Sequence, residues 1–232
     1  MTDVPGPIFS VVIPALNEEA GIESTIDSAR AAYGDECQIL VVDGGSIDRT
    51  RDVARGLCRV IVRTGGRGAQ MNAGAGEARG DVLVFLHADT HVDGDSGSQI
   101  LRALEDPDVV GGCHRFRVEP AASRLSRYAL LEAGVNLRTR VFRAATGDQV
   151  IFVRRKRFHE ADGYPEHPLF EDVALVKKLR RIGRFQPLRS RAHTSRRRWE
   201  RHGFARTVVL HWLLRAAFVA GVKPARLADW YV

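Results

Sequence analysis

In this 232-residue chain, acids, glycines and a few bases gather at the ends of short apolar runs. Pro14-Ala15-Leu16-Asn17-Glu18 follows the run Ile8–Ile13. Asp43-Gly44-Gly45-Ser46 follows Gln38–Val42. Gly65-Gly66-Arg67-Gly68 follows Val60–Arg63, and His87-Ala88-Asp89 closes Asp81–Leu86. Much later, Glu171 and Asp172 follow a Gly-Tyr-Pro turn and start the helical pattern Val173–Arg181. These residue types allow a definite chemistry. Carboxylate oxygens together with phosphate oxygens suit Mg²⁺ or Mn²⁺. A small-residue backbone beside an arginine can approach a phosphate and supply charge-assisted hydrogen bonds. A carboxylate within reach of a hydroxyl can act as general base.

The elements that must position these residues follow from the pattern. The first four strands read as apolar runs rather than strict alternation, as in a parallel sheet covered by helices on both faces. In such sheets ligands bind beyond the carboxyl ends of the strands, where Asn17, Glu18, Asp43, Arg67 and Asp89 fall. The spacing predicts a strand ending at Pro14, a helix over Glu18–Ala32 capped by Asn17, and a helix over Asp48–Gly56 capped by Ser46. Asp93-Gly94-Asp95 reads as a loop and helix cap. Val109–Glu119 reads as a strand interrupted by Gly111-Gly112, Ser123–Phe142 as a helix, and Gln149–Val153 as the final strand. No linker divides the chain, so one domain is expected over 1–232. Its stretches are a strand-and-helix alternation at 8–95, a second part at 96–200 and a helical tail at 203–232.

Composition narrows the function. The chain is 44% hydrophobic and 27% charged, ordinary for a globular protein. A net charge of +7 favours anionic partners. Twelve basic residues lie between Lys177 and Arg206, against one acid, Glu200. That run reads as a solvated helix face or a lipid-headgroup patch. It has little aromatic interleaving and no recognition motif, so nucleic acid is not an expected partner. Val208–Val222 is too short, and too charged at Arg215, to span a bilayer. It reads equally as an interfacial amphipathic helix or a core-packing one. Cys37, Cys58 and Cys113 show no metal spacing and no disulfide framework. With no signal-peptide pattern at the N-terminus, the expected location is the cytoplasm, with peripheral contact on the inner face of the membrane as an extension of the basic-patch reading. The G-x-G-x-x-G, P-loop and H-E-x-x-H patterns are absent.

Five stretches together resemble the family 2 glycosyltransferases. They are Phe9–Glu19, Val41–Thr50, Arg67–Gly74, Val84–Thr90 and Phe170-Glu171-Asp172. The resemblance implies the GT-A fold, an α/β architecture with a mostly parallel central sheet, flanking helices and here a C-terminal helix. It implies an inverting, metal-dependent transfer of sugar from a UDP- or GDP-sugar to a small or lipid-like acceptor. The alternative is a non-catalytic nucleotide- or anion-binding protein on the same scaffold.

By that resemblance Pro14, Ala15, Asn17, Glu18, Asp43, Ser46, Arg67, Asn72, His87, Ala88 and Asp89 contact the donor. Asp43 would meet the base edge, or else cap its own turn. Asn72 would meet the nucleotide or simply fix the loop. Asp89 would hold Mg²⁺ or Mn²⁺, with His87 standing where the family's Asp-x-Asp has its first Asp. His193 is a second candidate metal ligand. Asp172 is the implied base, with Glu171 beside it. Gly147, Asp148 and Trp199 would border the acceptor, and Arg198 would clamp the diphosphate. Ser195 replaces the Gln of the Gln-x-x-Arg-Trp element found in processive relatives.

Overall fold

The computed structural model describes residues 6–119, 127–228 and 230. Its elements, in order, are β1 (Phe9–Ala15), α1 (Ile22–Tyr33), β2 (Gln38–Asp43), α2 (Thr50–Arg55), β3 (Arg59–Val62), α3 (Arg67–Gly76), β4 (Val82–Phe85), β5 (Thr90–Val92) and α4 (Ser96–Leu104). There follow β6 (Val109–Glu119), α5 (Arg127–Phe142), a 3₁₀ turn (Gly147–Gln149), β7 (Ile151–Arg154), α6 (Arg155–Glu160), α7 (Glu171–Ile182), β8 (Arg184–Ser195), α8 (Arg197–His202), α9 (Phe204–Val219) and α10 (Pro224–Ala228). Positions 123–126 of the expected fifth helix lie outside the described residues.

All eight strands join one sheet, in the order β3-β2-β1-β4-β7-β6-β8-β5. The first four strands are mutually parallel; β7 pairs antiparallel with both β4 and β6. Val11 and Ile13 of β1 pack with Ile22 and Ile26 on one face of the sheet. Val12 packs with Leu40, Met71 and Phe85 on the other. Burial on both faces is why the strand reads as an unbroken apolar run.

Several expected boundaries are corrected. β1 runs through Pro14 to Ala15. Val12 is the last residue of β1 to pair with β4, so at Pro14 the absent N–H forfeits no ladder bond on that side. Asn17 does not cap α1; Gly21 holds that position, and Asn17 sits in the left-handed region at φ 54°. Ser46 does not cap α2, which starts at Thr50 after Arg49. Gly111 and Gly112 do not end β6, although its register against β8 shifts between Val109 and Gly111. They let it lie against its neighbours, since a Cβ would overlap the Phe152 carbonyl at the first and the Gln186 carbonyl at the second. The final strand is β8 rather than β7, inside the stretch that reads as a basic surface run.

A third apolar cluster forms where the long end of β6 meets α5 and the chain after β8. Phe116, Val118, Tyr128 and Trp199 make it up.

His114 on β6 is fully buried, with Nδ1 3.1 Å from the Val150 carbonyl and no partner for Nε2. Burial pushes its pKa down to about 4 from 6.5. Between those values the unfolded chain binds a proton that the folded chain excludes, so stability falls as pH falls through that window. At about 1.4 kcal/mol per pH unit, the full effect is about 3 kcal/mol. Urea unfolding at pH 7 and pH 4 is expected to show the wild type losing about this much more stability than His114→Leu. Parallel losses in the two proteins would show that the acid sensitivity arises elsewhere.

Candidate active site

The carboxyl ends of β1 and β4 open onto a cavity of about 350 Å³. Pro14 and Ala15 reach it from the end of β1, and His87 and Asp89 from the loop after β4. Gly66 and Arg67 bring the N-terminus of α3 to its wall, Asp148 comes from the 3₁₀ turn, and Glu171 from the start of α7. Gly65 and Gly66 carry φ of 105° and 90°. Backbone that only glycine adopts freely thus delivers Arg67 to the rim.

A second cavity, of about 500 Å³, adjoins the first and is mostly apolar. Arg67, Asp148, Glu171, Trp199 and His211 line both. Asp172 lines only the second, and Asp89 only the first. Trp199 is 7% exposed in this dividing wall, held edge-on by Phe116 and Tyr128.

Asp172 accepts the Gly147 N–H on Oδ2 at 2.5 Å and the Val173 N–H on Oδ1 at 2.6 Å. Gly147 allows this contact because it has no side chain. A Cβ there would come within 2.5 Å of His87 Nε2. His87 Nδ1 lies 3.5 Å from Asp148 Oδ1. The adjacent Glu171 is 6% exposed and 3.9 Å from Arg67. Burial first, and then the charge of Asp172, push its pKa up against the opposing pull of Arg67 and His87. Burial thus favours the protonated form of Glu171.

A matching family-wide pattern, described as glycosyl transferase family 2, covers residues 10–132, about half of the chain. The chain belongs to that family. It is 31% identical over 137 residues to an undecaprenyl-phosphate 4-deoxy-4-formamido-L-arabinose transferase of Pseudomonas aeruginosa, across 53% of this chain and 40% of that one. It is 28% identical over 199 residues to a probable glycosyltransferase of Bacillus subtilis, across 76% of this chain and 47% of the relative. The chain thus spans less than half the length of these relatives. Among solved structures it resembles a mannosyltransferase from Pyrobaculum calidifontis in complex with GDP-Man and Mn²⁺. The TM-score is 0.63 at 20% identity, covering 92% of this chain and 62% of that one. That likeness shows the fold, GT-A.

Within this family 2 chain the expected site residues divide. Pro14, Ala15, Arg67, His87, Asp89, Asp148, Glu171 and Trp199 share the first cavity, and Asp172 faces the adjoining one. Of the others, those with described side chains line neither. Asp43 is fully buried, accepting the Gly45 and Ser46 N–H groups, with Arg51 Nε 3.8 Å away. Asn17 and Ser46 tie two loops together. The Asn17 N–H donates to Ser46 Oγ, and Asn17 Oδ1 accepts the Ile47 N–H. Glu18 pairs with Arg197 at 2.6 Å. Asn72 bonds the Tyr164 backbone through both its amide atoms and so fixes a loop. Ala88 is buried, its carbonyl accepting the Thr25 hydroxyl. His193 is 2.8 Å from Asp93 and outside the cavity. The Arg198 side chain lies outside the described residues.

Sequence reasoning missed Gln70, Thr194 and His211 in the first cavity and Arg138 in the second. Gln70 donates to the Ala15 and Val42 carbonyls and so bridges the ends of β1 and β2.

No cluster of three His, Cys, Asp or Glu forms a complete metal cage among the described residues. The donor set nevertheless fits a hard cation. Mg²⁺ characteristically takes one or two carboxylates and completes its shell with substrate phosphates and water. Asp89 is the available carboxylate, since Asp148 is near His87, burial raises the Glu171 pKa, and the hydrogen bond to the Asp89 carboxylate among the described residues is a 3.3 Å one from the Thr90 hydroxyl.

Proposed function

We propose that this chain is an inverting glycosyltransferase. It moves a sugar from a UDP- or GDP-linked donor to a small or lipid-like acceptor, with Asp89 holding Mg²⁺ or Mn²⁺ and Asp172 as base. One observation carries the reading. Two cavities share a wall, with the cation-binding carboxylate on one side and the candidate base on the other.

The polar first cavity takes the donor diphosphate, with Arg67 and the start of α3 facing it. The cation supplies neutralisation of the charge that develops on the departing diphosphate. Asp172 takes the proton of the acceptor hydroxyl as its oxygen bonds to the anomeric carbon and the bond to the diphosphate breaks. Attack from the face opposite the leaving group inverts the centre. The backbone N–H bonds to Asp172 fix its carboxylate for this role. The GDP-Man and Mn²⁺ held by the Pyrobaculum mannosyltransferase support a nucleotide-sugar and a divalent ion here.

No helix among the described residues is long and apolar enough to cross a membrane. Leu130, Leu137, Val141 and Phe142 of α5, and Val209, Trp212 and Leu213 of α9, are exposed. They suit peripheral contact with a lipid surface carrying the acceptor.

The test is thermal unfolding with a panel of UDP- and GDP-sugars, with and without Mn²⁺. A cognate donor at about a hundred times its Kd stabilises the fold by about 2.7 kcal/mol, and that gain should need the ion. Stabilisation by none of them, with any metal, would remove the proposal.

A further inference from the structure

The second cavity combines two features that seldom share one space. Its wall is mainly apolar, including Leu131, Val135, Phe170 and Trp212. Four arginines also line it, Arg67, Arg127, Arg138 from α5 and Arg215 from α9. Neither Arg138 nor Arg215 has a carboxylate within ion-pair distance among the described residues. Arg138 makes one long hydrogen bond, 3.5 Å to Gln149 Oε1, and its Nε is buried without a partner. No hydrogen bond reaches Arg215 among the described residues. Burial pushes the pKa of Arg138 down to about 10, with Arg215 adding to the effect, and burial lowers that of Arg215 as well. Asp172 favours both charges, and Asp148 favours that of Arg138 as well, neither in direct ion-pair contact. Asp172 already accepts two backbone N–H groups.

Two like charges partly removed from water, with no carboxylate in direct ion-pair contact, are costly. An apolar core ligand would leave that cost in place, and a small anion would leave the apolar wall wet. An amphiphile whose anionic head meets the two arginines while its chain covers the wall satisfies both. The exposed apolar side chains of α5 and α9 continue the same surface outward, giving the chain an exit.

We infer that the second cavity binds an amphiphile carrying an anionic head group, with Arg138 and Arg215 as its head-group ligands beside Asp172. This deepens the proposed function by naming the acceptor class, and so rests on it. Arg138 and Arg215 are binding residues for the acceptor and take no part in donor binding.

The test uses the fluorescence of Trp199 and Trp212, both in the cavity wall. The full chain is titrated, below micelle formation, with dodecyl phosphate, dodecanoate, dodecanol and inorganic phosphate. Dodecyl phosphate is expected to bind saturably, at least about tenfold more tightly than dodecanol, a difference of about 1.4 kcal/mol. Inorganic phosphate should bind far more weakly than either amphiphile. Arg138→Met and Arg215→Met should each bring dodecyl phosphate down to the level of dodecanol while leaving the affinity for UDP or GDP with Mn²⁺ unchanged. Dodecanoate binding with the same arginine dependence would assign a carboxylate head, and its failure a phosphate. Equal binding of dodecanol and dodecyl phosphate, or tight binding unaltered in both variants, would overturn the inference. If the amphiphile binds as expected but no nucleotide binds under any condition, the site stands and the glycosyl-transfer reading falls.

Discussion

Asp172→Asn is expected to lower kcat by about 10²–10⁴, the usual contribution of a general base, while donor affinity stays as in the wild type. The substitution keeps the shape of the side chain. Its remaining carbonyl oxygen can still accept the Gly147 N–H, so the turn that seats His87 and Asp148 is retained. The second oxygen becomes an NH₂ that no longer accepts from Val173 and cannot take a proton at neutral pH. Asp172 also lines only the acceptor-side cavity. Loss of its charge should therefore reach the donor pocket weakly. Single-turnover sugar transfer, read beside nucleotide binding by calorimetry, separates the two effects. Unaltered turnover would take Asp172 out of the mechanism. Glu171→Gln is the informative companion, because burial raises the Glu171 pKa and the amide removes the charge that burial penalises.

The parallel half of the sheet is legible in the sequence because strands buried on both faces must be apolar throughout. β2 and β4 accordingly emerge near their true bounds, and β6 at its observed ones. β8 is hidden for the opposite reason. From Leu188 onward its buried positions are Leu188, Ser190, Ala192 and Thr194, interleaved with exposed Arg189 and Arg191. The alternation is present, but small polar residues mask it and the arginines dominate the reading. β5, three residues long, offers too little pattern. Within the site, chemistry at strand ends is readable and side-chain direction is not. Asp43 stands where a base-binding acid is expected, yet its carboxylate closes its own turn beneath the surface. Arg138 gives no signal among 35 basic residues, and Arg215 shows only as a charge inside an apolar run. The helix packing is what shows both lining one cavity with no direct ion pair among the described residues.

Asp89→Ala is expected to remove the Mn²⁺-dependent part of nucleotide binding and to lower kcat/KM by about a thousandfold. That figure corresponds to about 4 kcal/mol, within the several kcal/mol that a bound cation contributes to a developing phosphate charge. The fold should survive the change. The structural bond at this position is made by the backbone, where the Ser195 N–H donates to the Asp89 carbonyl, and an alanine keeps it. Among the described residues the Asp89 side chain accepts a long bond from Thr90, whose hydroxyl also meets Thr194, and its charge favours that of Arg197. His87 stands two residues before Asp89, so no carboxylate occupies that position beside it. If Asp89 alone anchors the ion, its removal should make the variant with Mn²⁺ behave like the wild type in EDTA, by both thermal shift and turnover. If the His87 position instead compensates for the missing acid, the variant will keep a clear response to Mn²⁺, and His87→Ala will abolish it. A wild type equally active in EDTA would exclude the ion from the reaction and leave Arg67 and the start of α3 to carry the diphosphate charge.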